Sequence, residues 1–333
     1  MSLKALPLRI LVSLILLTWI PSDHRPVLAQ TPMAAPQEEV IDGRGVLLSI
    51  PQNPRAIIYL FHGTGGSASY ATNIATRLVL ERFAAAGYGY AATSSGQREG
   101  PARWIIEEAD PRKNPDLTYM LGLHEHLVRS GAIGARTPIF SMGMSNGGGM
   151  ANLFGLVSRE AGLPIAGVAA YLGPFPASML GASRTGGTAP PSTFVVVAEN
   201  DSLVNSQNVL AIAANLSERG VRIETHLATE AATNPGDFTR ISGIDLSRSQ
   251  AIFDELVANG VIDRSGKRLM FTDQTTIPRD AENKLSGRIS DRTIQRQVFR
   301  ILMETWAAHM MRSDYADEQF AFFEAELART KGR

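Results

Sequence analysis

The chain of 333 residues contains no cysteine. That absence excludes disulfides, thiolate metal sites and a lipid-bearing cysteine, so the folded chain must hold together by its core alone. Net charge is also missing. Lys+Arg and Asp+Glu both number 32, no sustained basic stripe occurs, and nothing points to nucleic acid or a membrane surface. Long apolar runs are lacking: residues 10–20 give eleven positions, broken by Ser13 and Thr18, too few to span a bilayer comfortably. There is no internal repeat and no low-complexity tract. What is present is a 44% hydrophobic composition, ample for one large buried core.

Lys4 and Arg9 precede the short apolar run, and a Pro-containing spacer leads from it to Val27-Leu28-Ala29. This charged, apolar, small-residue order is that of a secretory signal peptide over residues 1–29, cut between Ala29 and Gln30. The expectation is a periplasmic or extracellular protein without a stable membrane anchor. Residues 30–43 read as a flexible lead-in and residues 44–333 as the folded domain.

From Arg44 onward apolar strand-like runs alternate with amphipathic helical ones. Ala56-Ile57-Ile58-Tyr59-Leu60-Phe61 is continuously apolar, the pattern of a strand covered on both faces. Helical stretches over 71–86, 117–130, 146–159 and 206–219 are each followed within three residues by glycine, at Gly87, Gly131, Gly162 and Gly220. Strands are expected near 45–50, 89–93, 138–142, 166–172, 194–198 and 221–228. Strict alternation implies an α/β class fold, a doubly wound mostly parallel sheet with ligands at the carboxyl ends of its strands. The rhythm breaks over about 230–300, which reads as an inserted helix at 247–259 with a short hairpin at 261–269, a possible lid. Helical patterning returns at 293–311 and 317–328.

Chemistry concentrates at strand ends. Gly143-Met144-Ser145-Asn146-Gly147 follows a buried strand and opens a helix. A tight strand-to-helix turn presents a serine hydroxyl openly, and its neighbours must be small because the turn is crowded. His62-Gly63-Thr64-Gly65-Gly66-Ser67 follows another strand. Backbone N–H groups of Thr64 and Gly65, with that of Asn146, are the candidate oxyanion-hole donors. Gly63 to Ala68 also fits a G-x-G-x-x-A dinucleotide fingerprint, but the next strand ends without the acidic residue that fingerprint needs. No cofactor and no metal is expected.

Asp201 ends the strand Phe194-Val195-Val196-Val197-Ala198 and is the candidate for orienting a catalytic imidazole, with Glu199 as the other acid. Asp201 also reads as a plain helix cap. Of six histidines, His24 falls in the signal segment and His62 reads as a brace for the loop it begins. His124 and His126 diverge on a helix and form no metal pair. His309, just before the terminal helix, is the candidate base, and His226, inside a strand, is the other. Residues 98–110 with Trp104, the Pro174-Phe175-Pro176 segment and residues 230–300 are the expected pocket walls, though Trp104 reads equally as packing.

On these residues the chain is similar to the α/β-hydrolase family over about 55–204 and again near His309. Ser145-Asn146-Gly147-Gly148, together with His62-Gly63-Thr64-Gly65-Gly66, resembles secreted polyhydroxybutyrate-depolymerase and feruloyl-esterase-like enzymes. The resemblance implies a serine esterase with Ser145, Asp201 and His309 as its triad, acting on a small or oligomeric ester. Peptidase or amidase activity on the same fold, and ligand binding without catalysis, are the alternatives. Two departures from the family pattern are the missing cysteines and the 230–300 segment.

Overall fold

A computed structural model describes residues 35–97, 99–182, 188–272, 277 and 280–331. The expected signal peptide over 1–29, with its cleavage site, lies outside the described residues, as does Arg98 of the expected pocket wall.

Eight strands form one sheet. They are β1 Gln37–Ile41, β2 Arg44–Ser49, β3 Ile57–Phe61, β4 Gly89–Thr93, β5 Ile139–Met144, β6 Ile165–Tyr171, β7 Thr193–Ala198 and β8 Ile223–Ala228. Their spatial order is β1-β2-β4-β3-β5-β6-β7-β8, antiparallel at β1/β2 and β2/β4 and parallel elsewhere. Helices α1 Ile74–Ala84, α2 Pro115–Arg129, α3 Asn146–Glu160, α4 Ala177–Ala182 and α5 Ser206–Glu218 make the crossovers. After β8 come α6 Leu246–Ala258, α7 Ala281–Ser286, α8 Gln295–Thr305 and α9 Ala316–Lys331. This order and connectivity is the α/β-hydrolase fold.

The continuous apolar runs have a simple reason. Ile58 and Leu60 of β3 face one core with Phe83, Phe140, Phe322 and Phe323, under α1 and α9. Ile57, Tyr59 and Phe61 face the other, with Leu117, Met120 and Phe154 under α2 and α3. Every residue of β3 is therefore buried, as a strand sandwiched between helix layers must be. The four glycine stops occupy the left-handed region, with φ of 82° at Gly87, 77° at Gly131, 75° at Gly162 and 84° at Gly220.

Three expectations need revision. The flexible lead-in contains β1, which pairs with β2 from Gln37↔Leu48 to Ile41↔Arg44. Asp42 (φ 46°) and Gly43 (φ 78°) form the two-residue turn between them, the D-G hairpin signal. The expected helix over 293–311 ends at Thr305, because Ala307 turns left-handed at φ 50°. There Ala308 N–H bonds Met303 O at 2.9 Å and Ala307 N–H bonds Glu304 O at 3.1 Å, the Schellman pattern with alanine in place of glycine. Finally, the hairpin at 261–269 is reduced to a single bridge, Ile262↔Arg268.

Residues 238–308 build a third apolar cluster, in which Phe238, Phe253, Leu256, Ile301 and Trp306 pack with Ile74 of α1. The segment expected to be a lid is thus a packed layer with its own core, joined to α1 through Ile74.

Candidate active site

Strand order reverses at β3, which lies between β4 and β5, so the connections leaving β3 and β5 diverge and open a crevice at their carboxyl ends. Phe61 pairs with Gly143, which sets the His62 loop beside the turn at Ser145. Ser145 is the N-cap of α3 with φ 58° and ψ −128°, a strained conformation for a residue with a side chain. Its N–H bonds Tyr171 O at 2.8 Å, and its carbonyl accepts from Gly148 N–H at 2.8 Å and Gly149 N–H at 3.2 Å. The crowding explains the flanking glycines. A Cβ on Gly147 would stand 2.1 Å from Phe61 O, and one on Gly143 would stand 2.1 Å from Gly147 O.

Asn146 locks the turn from outside. Its Oδ1 accepts from Trp104 N–H at 2.6 Å and its Nδ2 donates to Trp104 O at 3.1 Å, the two-bond pairing of a strand neighbour. Trp104 itself is fully buried against Phe61, and its Nε1 donates to His62 O at 2.9 Å. It is a packing residue, not a pocket wall. Phe175 likewise packs with Met179 and Val195 in the core behind α4 and α5.

His62 braces the loop it begins. Buried to 1% exposure, its Nε2 accepts from Ser95 N–H at 3.0 Å, which leaves Nδ1 to carry the proton donated to Gly63 O at 2.7 Å. Burial holds its pKa below the ordinary histidine value, so the neutral ring is the native form. The two candidate donors in this loop differ. Gly65 N–H is already bonded to Ala102 O at 2.7 Å, so its donor is taken within the protein. Thr64 N–H and Asn146 N–H have no such backbone acceptor among the described residues.

Across the crevice, His309 Nδ1 lies 2.8 Å from Asp201 Oδ2. The Asp201 side chain is 1% exposed and that of His309 11%. The other oxygen, Oδ1, accepts from Leu203 N–H at 2.8 Å and Val204 N–H at 2.9 Å, so the carboxylate is fixed by its own turn. Asn205, not Asp201, caps α5. Two bonds tie the acid turn to the imidazole loop: Asn200 N–H to Ala307 O at 3.0 Å and Asn200 Nδ2 to Trp306 O at 2.8 Å. Beneath both, Leu172, Ala198, Ala228 and Ala307 form an apolar plug with Met144, the residue before Ser145. The turn at Ser145, the acid turn and the His309 loop therefore rest on one small cluster.

The remaining candidates are engaged elsewhere. His226 Nε2 meets Glu224 at 3.0 Å, and its ring packs on Phe194 and Tyr315. Glu199 accepts from Glu230 N–H. His124 is buried with Nδ1 3.0 Å from the Tyr59 hydroxyl. Among the described residues no cluster of His, Asp or Glu could hold a metal ion.

Comparison with known proteins adds the fold's company and no more. No family model matches the chain, and no curated protein matches it. Among solved structures it is similar to a Bacillus cereus carboxylesterase at 15% identity and a TM-score of 0.41, over 55% of this chain and 84% of that one. It is similar to a bacterial heroin esterase at 18% identity and 0.42, over 60% and 77%. A predicted hydrolase from Thermoplasma acidophilum gives 21% identity and 0.39, over 59% and 88%. At such identities and scores no residue role passes from those proteins to this chain.

Two groups near the site carried no sequence signal. Asp116 is 1% exposed and gathers Arg44 at 2.9 Å, Gly96 N–H at 2.7 Å and Ile105 N–H at 3.2 Å, anchoring the loop that holds Trp104. Glu304, 4% exposed, accepts from Ser313 N–H at 2.7 Å and from Arg240, under the loop that carries His309. Both act through contacts distant in sequence, which no local spacing announces.

Proposed function

We propose that the chain is a serine hydrolase cleaving a carboxylic ester, with Ser145 as nucleophile, His309 as base and Asp201 as the carboxylate that orients it. The observation carrying this reading is the 2.8 Å His309 Nδ1 to Asp201 Oδ2 contact on the same plug that seats the strained Ser145 turn. A carboxylate on Nδ1 fixes that nitrogen as the protonated one and leaves Nε2 as the acceptor. His309 Nε2 then takes the proton of Ser145 Oγ as the oxygen bonds to the ester carbonyl carbon. The carbonyl oxygen gains the negative charge, which Thr64 N–H and Asn146 N–H stabilise. Collapse expels the alcohol, protonated by His309, and leaves an acyl-serine. Water, deprotonated by the same imidazole, attacks the acyl carbon; collapse of the second oxyanion expels Ser145 Oγ, which takes back the proton from His309, and the acid is released.

Asn146-Gly147-Gly148 after the serine supports placing the enzyme near polyhydroxybutyrate-depolymerase and feruloyl-esterase-like hydrolases. The N-terminal layout supports export with removal of residues 1–29, read out by the mass of the protein recovered outside the cytoplasm.

Fluorophosphonate labelling tests the mechanism. Wild type should label at Ser145, Ser145→Ala should not, and His309→Ala and Asp201→Asn should label at rates lower by factors on the order of 10² or more. A folded wild type that fails to label overturns the reading in favour of ligand binding without hydrolysis. Labelling lost in His226→Ala but kept in His309→Ala moves the base to β8.

A further inference from the structure

Beside the Ser145 turn lies a cavity of about 520 Å³. Its near wall is the loop from His62 to Ser67 with Met144, and Met310 continues it beyond His309. The far wall comes from the segment after β8: Glu282 of α7 and Arg296, Phe299 and Arg300 of α8. Arg296 and Arg300 stand one helical turn apart, so both guanidiniums share the face turned to the cavity with Phe299 between them.

These two cations are unevenly compensated. Arg296 is 72% exposed and reaches Glu282, itself 48% exposed, at 3.3 Å, a weak surface pair. Arg300 donates to Asn73 Oδ1 at 2.5 Å, a neutral acceptor, and meets no carboxylate among the described residues. Other arginines drawn out of solvent behave differently. Arg44 lies 2.9 Å from Asp116, Arg268 2.8 Å from Glu230 and Arg312 2.5 Å from Asp314. Burial first and the neighbouring Arg296 second pull the Arg300 pKa below its ordinary value, against a smaller opposing pull from Glu282, so its charge costs energy where it stands. Like charges four residues apart add repulsion. Among the described lining residues one glutamate stands against two arginines, an excess of one positive charge.

We propose that this cavity is a subsite for a carboxylate on the non-reacting part of the ester, with Arg300 as its fixed contact and Arg296 as the second. The proposal rests on the hydrolase reading above. A guanidinium fork matches a carboxylate with two parallel bonds, and a partly desolvated site strengthens them. Phe299 supplies apolar surface for the chain linking carboxylate and ester. The substrate class is then the half-ester of a dicarboxylic acid, or an ester whose alcohol carries an acid.

Two matched pairs of esters test this on the purified protein. One pair is 4-nitrophenyl hexanoate against mono-(4-nitrophenyl) adipate. The other is phenyl butyrate against 4-(butyryloxy)benzoate. In at least one pair the anionic member should show the higher kcat/KM, by roughly ten- to a hundredfold, as expected for charge-assisted bonds. That ratio should shrink with added NaCl, a reading that needs no variant. Arg300→Gln, which keeps a donor for Asn73 without the charge, and Arg296→Gln, on the exposed side, should each lower the ratio, Arg300→Gln more. Anionic members no better than their neutral partners in both pairs, with Ser145 labelling intact, overturn the subsite and leave the hydrolase standing. If neither labelling nor turnover occurs, the hydrolase reading falls, and calorimetry with adipate reads the subsite alone. Binding weakened by Arg300→Gln would uphold it, and no binding would overturn it.

Discussion

Glu304 closes the loop that carries His309, and replacing it by glutamine should loosen that loop without emptying the core. Its carboxylate accepts from Ser313 N–H at 2.7 Å, from Ser313 Oγ at 2.9 Å and from Arg240. Its carbonyl accepts from Ala307 N–H at 3.1 Å and from Arg312. One residue thus grips both ends of residues 306–313. The side chain is 5% exposed and that of Arg240 24%, so the pair is mostly withdrawn from water. Breaking a fully buried pair by removing one charge costs about 3–5 kcal/mol. Glutamine keeps an acceptor for Ser313, and Arg240 keeps some hydration and its 3.0 Å bond to Ser313 Oγ. The expected loss for Glu304→Gln is therefore near the lower bound, about 2–3 kcal/mol. For a chain of this size that is a fall in melting temperature of roughly 4–10 °C.

On the proposed mechanism the loop matters for chemistry, because an imidazole displaced by a fraction of an ångström loses rate steeply. Fluorophosphonate labelling of Glu304→Gln, measured well below its melting point, should slow on the order of tenfold. Arg240→Gln and the double variant complete a cycle, with a coupling of about 1–3 kcal/mol expected for groups in one network. Thermal melts by circular dichroism and labelling rates decide the matter. A Glu304→Gln protein that melts with the wild type and labels at the wild-type rate refutes the claim that this carboxylate holds His309 in place.

Gly147→Ala puts a Cβ 2.1 Å from Phe61 O, a backbone atom that cannot swing aside, so it should cost on the order of 4 kcal/mol or abolish folding. By contrast Gly122→Ala on α2 meets nothing within 4 Å and should stabilise by about 0.5–1 kcal/mol; equal melting temperatures for the two variants would contradict both statements. A pH effect follows from His62 and His124, whose pKa values burial lowers. Above about pH 6.5 both states are neutral and stability is level. As pH falls through that value the unfolded chain takes up protons that the native rings refuse, so each histidine removes up to about 1.4 kcal/mol per pH unit until its native pKa is reached. Urea titrations between pH 7.5 and 5 should show a shallower acid slope for His124→Gln than for wild type, and parallel slopes would exclude His124 as a source.

Periodicity carried most of the sheet because a strand buried on both faces is apolar throughout, and β4 was legible to the residue at Gly89–Thr93. The glycine stops were legible for an equally local reason, since only glycine enters the left-handed region without cost. Where alanine does that work, at Ala307, the signal vanishes and the helix reads six residues too long, through Met311 instead of Thr305. The same silence hid the fact that His309 sits in a loop and not on a helix. Gly65 failed as a free donor for a different reason: its partner, Ala102, lies 37 residues on, in a loop with no regular pattern. Trp104 had two readings because a tryptophan suits a pocket wall or a core, and only the Asn146 clamp and its bond to His62 O decide for the core.

The segment after β8 is what the simplest version of this fold lacks, and its contacts give it a structural role at the site. Arg268 reaches Glu230 at 2.8 and 3.0 Å, and Glu230 accepts from Asn200 Nδ2 at 3.0 Å, one residue before Asp201. Ala231 N–H bonds Thr305 O at 2.9 Å, beside the left-handed turn that frees His309. Trp306 and Ala308 pack in the same apolar cluster as Phe238 and Leu256. Removing residues 230–300 would therefore expose Trp306, take Glu230 from Asn200 and loosen the Asp201 turn and the His309 loop together, besides deleting Glu282, Arg296, Phe299 and Arg300 from the cavity wall. A domain that only covered the site would lack these bonds. Buried, oppositely charged and apolar contacts meet here at once, so this segment has the contacts of a scaffold for Asp201 and His309 as well as one wall of the cavity.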